Sequence, residues 1–244
     1  IKSGLIRWFP VDSAHILFLI YPAVGIILAT LFVKYIVRDN ISEGVTRVLY
    51  AMSRRNSRIA GHNCWTSIVG GATTIGFGGS VGPEAPIVLT GAAIGSNIGR
   101  LARLNYKHTT LLLCCGAGAA LAAIFKAPIT GVVFVLEILM LDITAGSVIP
   151  LLIASITATT MAFMLRGFDP ILAVTLAPAD AFELWQIPLF ILLGVLCGLM
   201  AWYFTSMNSR VGGFFKSIDK QYKKWLWGGA ILGILIFVFP PLYG

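Results

Sequence analysis

Long apolar blocks alternate along the chain with short polar joints or joints rich in glycine and proline, a pattern that predicts helices rather than strands. Residues 15–37 supply about the 20 residues that a helix needs to cross a hydrocarbon core ~30 Å thick, and 147–165 and 185–203 are comparable. Residues 225–242 form a further candidate span. Blocks 87–98, 111–125 and 129–141 are short or broken by glycine and proline, which predicts helices that stop inside the membrane. Backbone groups freed at such breaks must be buried in protein or line a wet cavity, because each unpaired N–H or C=O in hydrocarbon costs several kcal/mol. A β-barrel would show short alternating segments instead of solid apolar blocks. The expected fold class is therefore all-α, a polytopic membrane bundle.

Composition agrees with the pattern. Of 244 residues, 57% are hydrophobic and only 11% charged, and the mean hydropathy of +0.87 is outside the range of ordinary water-soluble domains. The formal charge of +8 does not imply a nucleic-acid partner, because the basic residues fall at the ends of apolar blocks rather than along one face. Arg47, Arg54, Arg55 and Arg58 form one cluster, and Arg210, Lys216, Lys220, Lys223 and Lys224 another. The connection 166–185 carries Asp169, Asp180 and Glu183, so the positive-inside rule puts the two basic clusters in the cytoplasm and this acidic joint outside. Arg100, Arg103 and Lys107 form a third patch to which the rule alone assigns no side.

Cys64, Cys114, Cys115 and Cys197 lack metal-ligand spacing, and His15, His62 and His108 lie near block ends, as wet interfacial side chains do. The closely spaced glycines of Gly76-Phe-Gly-Gly-Ser80 fit neither the dinucleotide nor the P-loop fingerprint. No nucleophile, base and orienter occur together, so neither an enzyme nor a metal or cofactor is expected. The chain shows no secretory signal pattern and no polar tail, and reads as part of something longer.

Glu84 is the residue to explain. It lies in Ile75-Gly-Phe-Gly-Gly-Ser-Val-Gly-Pro-Glu-Ala-Pro-Ile-Val-Leu89, with no other charge close by. An ionised side chain at membrane depth costs roughly 2.5 kcal/mol or far more, and is kept where it faces a pathway, a partner or a proton. In Gly82-Pro-Glu-Ala-Pro86 the prolines fit a first helical turn, so a helix should begin near Glu84. Bare N–H groups and the positive end of the helix dipole then make a place for an anion, or for the glutamate's own carboxylate when no anion is bound. Protonation would let the side chain swing away, coupling proton to anion. The plainer alternative is a capping or core-paired glutamate.

A second helix start is expected near Asp39-Asn-Ile-Ser-Glu43, where Asn40 and Glu43 have capping-box spacing. A third is expected at Phe125-Lys-Ala-Pro128, leading to Glu137, the other deep acid.

Together these stretches resemble the CLC family of voltage-gated chloride channels and chloride/proton antiporters. Gly82-Pro-Glu-Ala-Pro86 is similar to the family's Gly-Lys/Arg-Glu-Gly-Pro element, with Glu84 at the gating glutamate. The run from Gly116 to Glu137, with Phe125-Lys-Ala-Pro-Ile-Thr-Gly131 at its centre, resembles the family's Phe-Asn-Ala-Pro-Leu-Ala-Gly stretch. The resemblance implies a CLC-type bundle of tilted and broken helices built from an inverted repeat. Residues 1–166 would form most of the first repeat, 167–184 an extracellular connection, and 185–244 the opening helices of the second. It implies an anion site lined by Asn40, Ile41 and Ser42 on one side and by Gly82, Pro83, Glu84 and Ala85 on the other, with Glu137 as candidate inner acid. Implied partners are chloride, protons and membrane lipid, and a second copy of the chain meeting at residues 127–139 and 147–164, in a prokaryotic inner membrane.

Departures from the family pattern bear on mechanism. Asp39 stands at the anion-coordinating serine, so either it points away while Asn40, Ser42 or backbone N–H groups make the contact, or that half of the site is built differently. Pro83 and Ala85 replace the residues flanking the gate. Ile138 follows Glu137 where many antiporters carry a second glutamate, and Lys126 replaces an asparagine without evident reason. A proton- or sodium-coupled transporter of an organic solute is the rival class, since two isolated intramembrane acids would suit it equally, and a transport-incompetent fragment is the other alternative.

Overall fold

A computed structural model of the chain describes residues 24–37, 44–79, 82–140, 144–167, 187–218 and 221–238. All regular structure in them is helical. Helix α1 is Val24–Tyr35, widening to π geometry over Val33–Val37. It is followed by α2 (Gly44–Arg54), α3 (Asn63–Gly76), α4 (Glu84–Leu101), α5 (Tyr106–Phe125), α6 (Pro128–Glu137), α7 (Ala145–Arg166), α8 (Ile187–Lys216) and α9 (Gln221–Val238).

The core sits where α5 packs against α4, α7 and α6, and it includes Val88, Leu89, Leu113, Cys114, Val135 and Leu151. Lipid offers apolar side chains as good an environment as a neighbouring helix does, so helices in membranes associate through close backbone approach. Gly91, Gly95 and Gly99 recur at every fourth position of α4 and supply it. A Cβ on Gly91 would strike the carbonyl oxygen of Gly116, one on Gly116 would strike that of Gly91, and one on Gly95 would strike that of Leu112. Gly99 lies against Thr109, with 3.1 Å left for a Cβ. The same device joins α5 to α6, where Gly118 and Gly131 face each other's carbonyls.

Polar bonds tie the loop after α2 to α4. Ser96 Oγ accepts from the Ile59 N–H at 3.0 Å and donates to the Ser57 carbonyl at 2.6 Å. Asn97 Nδ2 donates to the Ile59 carbonyl at 3.2 Å. At the α5–α6 joint, Lys126 takes the left-handed conformation at φ 52° and caps α5. Its Nζ donates to the Gly167 carbonyl at 2.7 Å and lies 5.4 Å from the centroid of the Phe163 ring. Lys126 thus fastens the end of α5 to the end of α7, a role its sequence position did not disclose.

Two expectations about spans are corrected. Residues 111–125 do not form a short or broken helix: α5 runs unbroken through 20 residues and is long and apolar enough to cross a membrane, as are Ala145–Arg166 and Ile187–Phe215. Gly116 and Gly118 serve as packing surfaces rather than breaks, and Asn105 starts the helix ahead of the apolar run by accepting from the His108 N–H at 3.1 Å. The span expected at 185–203 extends as α8 to Lys216. Residues 129–141 do give a short helix, α6, of 10 residues. Of the expected span 15–37 only residues 24–37 are described.

Residues Leu172–Gly228 form a second compact unit. It contains α8.

Candidate functional site

Chain reversal between α3 and α4 begins with a Schellman cap. Gly78 at φ 87° lets its own N–H reach the Ile75 carbonyl at 3.0 Å and the Gly79 N–H reach that of Thr74 at 2.9 Å. The left-handed residue favours glycine because it has no Cβ to clash. Residues 80 and 81 lie outside the described residues, and the chain re-enters at Gly82.

Helix α4 then starts where the prolines predicted. Pro83 is the N-cap, without a side-chain cap bond, and the Ile87 N–H bonds its carbonyl at 3.2 Å. Because Pro83 and Pro86 have no N–H, the helix start presents the amides of Glu84 and Ala85 in place of the usual four. Glu84, the first helical residue, is half-buried. Its carboxylate turns back over Gly82: a Cβ there would strike Oε2 and come within 3.1 Å of Glu84 Cδ. The absence of a side chain at Gly82 is what makes room for the acid. Among the described residues, no basic side chain pairs with Glu84.

The start of α2 meets the start of α4. A Cβ on Gly44 would strike the Ala85 carbonyl oxygen and lie 2.8 Å from its carbon. The positive end of the α4 dipole, worth roughly half an elementary charge, therefore lies beside the Glu84 carboxylate, and Gly44 packs on that same first turn. Pro86 leans on Gly71 of α3, where a Cβ would sit 3.0 Å from Cγ. Phe77, at the turn after α3, packs against Gly25 of α1.

Gly82, Pro83, Glu84 and Ala85 are thus contiguous at one helix start. Asn40, Ile41 and Ser42, together with Asp39 and Glu43, lie outside the described residues, and the described chain resumes at Gly44, against Ala85. Pro128 opens α6 as its first residue. Glu137 closes that helix and is exposed; among the described residues no hydrogen bond or ion pair joins it to Glu84. Nothing in the sequence signals Gly44, because the group it meets, the Ala85 carbonyl, lies on another helix.

Residues 25–244 match the family model described as voltage gated chloride channel. A putative chloride channel protein ClcB-like from Ralstonia nicotianae is 27% identical over 231 residues, 93% of this chain and 53% of its own. An H(+)/Cl(-) exchange transporter ClcA from Vibrio cholerae is 31% identical over 183 residues, 72% of this chain and 39% of its own. Among solved structures, that of a slow cyanobacterial Cl-/H+ antiporter superposes with a TM-score of 0.80 at 25% identity, covering 98% of this chain and 56% of that one. The chain spans about half the length, or less, of the relatives it matches.

Proposed function

We propose, for a chain that belongs to the voltage gated chloride channel family, that it supplies part of a chloride pathway through a membrane, operating as a channel or as a proton-coupled antiporter. Its fold is the all-α bundle of that family, and the chain is an integral membrane protein. The observation that carries the reading is the start of α4, where the Glu84 carboxylate turns back over Gly82 and Gly44 of α2 packs on Ala85. Bare amides and dipole ends attract chloride, and an ionised Glu84 competes for the same place. Protonation removes the competing charge, so proton uptake favours anion entry.

In this proposal Gly82, Pro83, Glu84 and Ala85 line the gate, Asn40, Ile41 and Ser42 the opposite wall, and Glu137 serves as an inner acid. A homodimer through α6 and α7 is part of the reading. Its support is the apolar exposure of Ile129, Val133, Ile149, Ile153 and Ile156. A prokaryotic inner membrane is the proposed location. The organic-solute reading draws no support from the family match.

Anomalous scattering from bromide soaked into crystals of the full-length protein tests the site. Density beside Glu84 and the 40–42 backbone is expected; bromide bound only elsewhere would overturn it.

A further inference from the structure

A second charged site lies at the other end of α4. Arg58, from the loop after α2, and Arg100 and Arg103, at the close of α4, line one cavity of about 550 Å³ with Asn56, Leu104 and Tyr106. No acidic residue occurs between Glu43 and Glu84 or between Glu84 and Glu137, so the surrounding sequence supplies no counter-charge. Among the described residues, no carboxylate pairs with any of the three arginines.

The backbone adds to the positive potential. The carbonyls that close α4 are used internally: Ala102, Arg103 and Leu104 donate their N–H groups to Ile98, Arg100 and Gly99 at 2.9, 3.1 and 3.0 Å. The next helix, α5, opens at Tyr106 beside the same cavity and directs the positive end of its dipole there. The flank is apolar. Leu101 is 87% exposed, Leu104 42% and Tyr106 53%, and the Tyr106 hydroxyl is held by the Met52 carbonyl at 3.0 Å.

Guanidinium forks recognise phosphate oxygens in pairs, and a basic pocket between membrane helices suits a phospholipid headgroup. Greasy residues beside the arginines fit the glycerol and first methylenes of a lipid better than a free ion, which would leave them in water. Arg58 belongs to the cluster that the positive-inside rule puts in the cytoplasm, and the shared cavity brings Arg100 and Arg103 to that same side.

We propose that the cavity lined by Arg58, Arg100 and Arg103 binds the phosphodiester headgroup of an anionic phospholipid in the cytoplasmic leaflet. This is independent of the role given to Glu84.

The test measures lipid retention by the full-length protein in detergent, using native mass spectrometry with phosphatidylglycerol or phosphatidylcholine added. Wild-type protein should retain phosphatidylglycerol in clear preference to phosphatidylcholine. The double variant Arg100→Gln/Arg103→Gln should lose that preference by about tenfold or more. A control that removes equal charge elsewhere, Lys223→Gln/Lys224→Gln, should keep it. Equal retention of the two lipids by wild type would overturn the proposal, as would an equal loss in the control, which would mean generic attraction. Displacement of phosphatidylglycerol by millimolar inorganic phosphate would overturn the lipid assignment in favour of a free phosphate ion. The wild-type comparison stands even if the double variant does not fold.

Discussion

The Cα of Gly44 lies so close to the carbonyl group of Ala85 that no side chain fits between them, with a Cβ coming to 2.8 Å from the carbonyl carbon. That contact brings the first described residue of α2 against the first turn of α4, although the two are distant in sequence. In the proposed pathway this packing, with the Glu84 carboxylate turned back over Gly82, is what the anion would meet.

Gly44→Ala should therefore weaken halide binding more than it weakens the fold. The added methyl must push the helix starts apart, a displacement that overpacking data put at about 1–3 kcal/mol. Isothermal titration of the full-length protein should show chloride affinity reduced by about tenfold, with the helical circular-dichroism spectrum unchanged. Wild-type affinity in this variant would mean that the contact has no bearing on the anion.

Gly91→Val is expected to open the α4–α5 crossing, because the new side chain would meet the Gly116 carbonyl oxygen and, at 2.7 Å, the Ala120 Cβ. A loss of about 3 kcal/mol or more is expected, at or above the upper end of ordinary overpacking since backbone rather than a flexible side chain is in the way. Gly70→Ala is the internal comparison. Among the described residues, nothing lies within 4 Å of a Cβ at Gly70, and replacing a mid-helix glycine by alanine stabilises by about 0.5–1 kcal/mol. Thermal unfolding in detergent should move in opposite directions for the two variants.

Ser96→Ala removes the hydroxyl that serves both the Ile59 N–H and the Ser57 carbonyl. Ile59, Ser57 and Ser96 are all buried, so each freed backbone group loses its partner away from water. The expected cost is about 1–3 kcal/mol, read as a lowered unfolding temperature. Ser96→Thr retains the hydroxyl, and should retain most of the stability if the extra methyl is accommodated.

The helix starts at Glu84 and Pro128 and the span within α7 were legible because each is written locally, in a proline at a first turn or an uninterrupted apolar run. The length of α5 was not: Gly116 and Gly118 look like breaks until their partners Gly91 and Gly131 are known, and those partners lie on other helices. The same holds for Gly44 against Ala85. Lys126 gave no clue because its partners, Gly167 and Phe163, come from the far end of α7. Charge counting could not group Arg100 and Arg103 with any other cluster, whereas one shared cavity joins them to Arg58. Single helices could be read from short-range pattern, but the contacts that assemble the site are long-range.

Glu84 carries the central claim, and its most direct test is halide efflux from proteoliposomes containing the full-length protein, followed together with proton movement. Glu84→Gln should leave chloride flux intact or faster while abolishing its pH dependence and any coupled proton movement, since the amide cannot ionise or carry a proton. Chloride flux that kept its wild-type pH dependence in that variant would contradict the account.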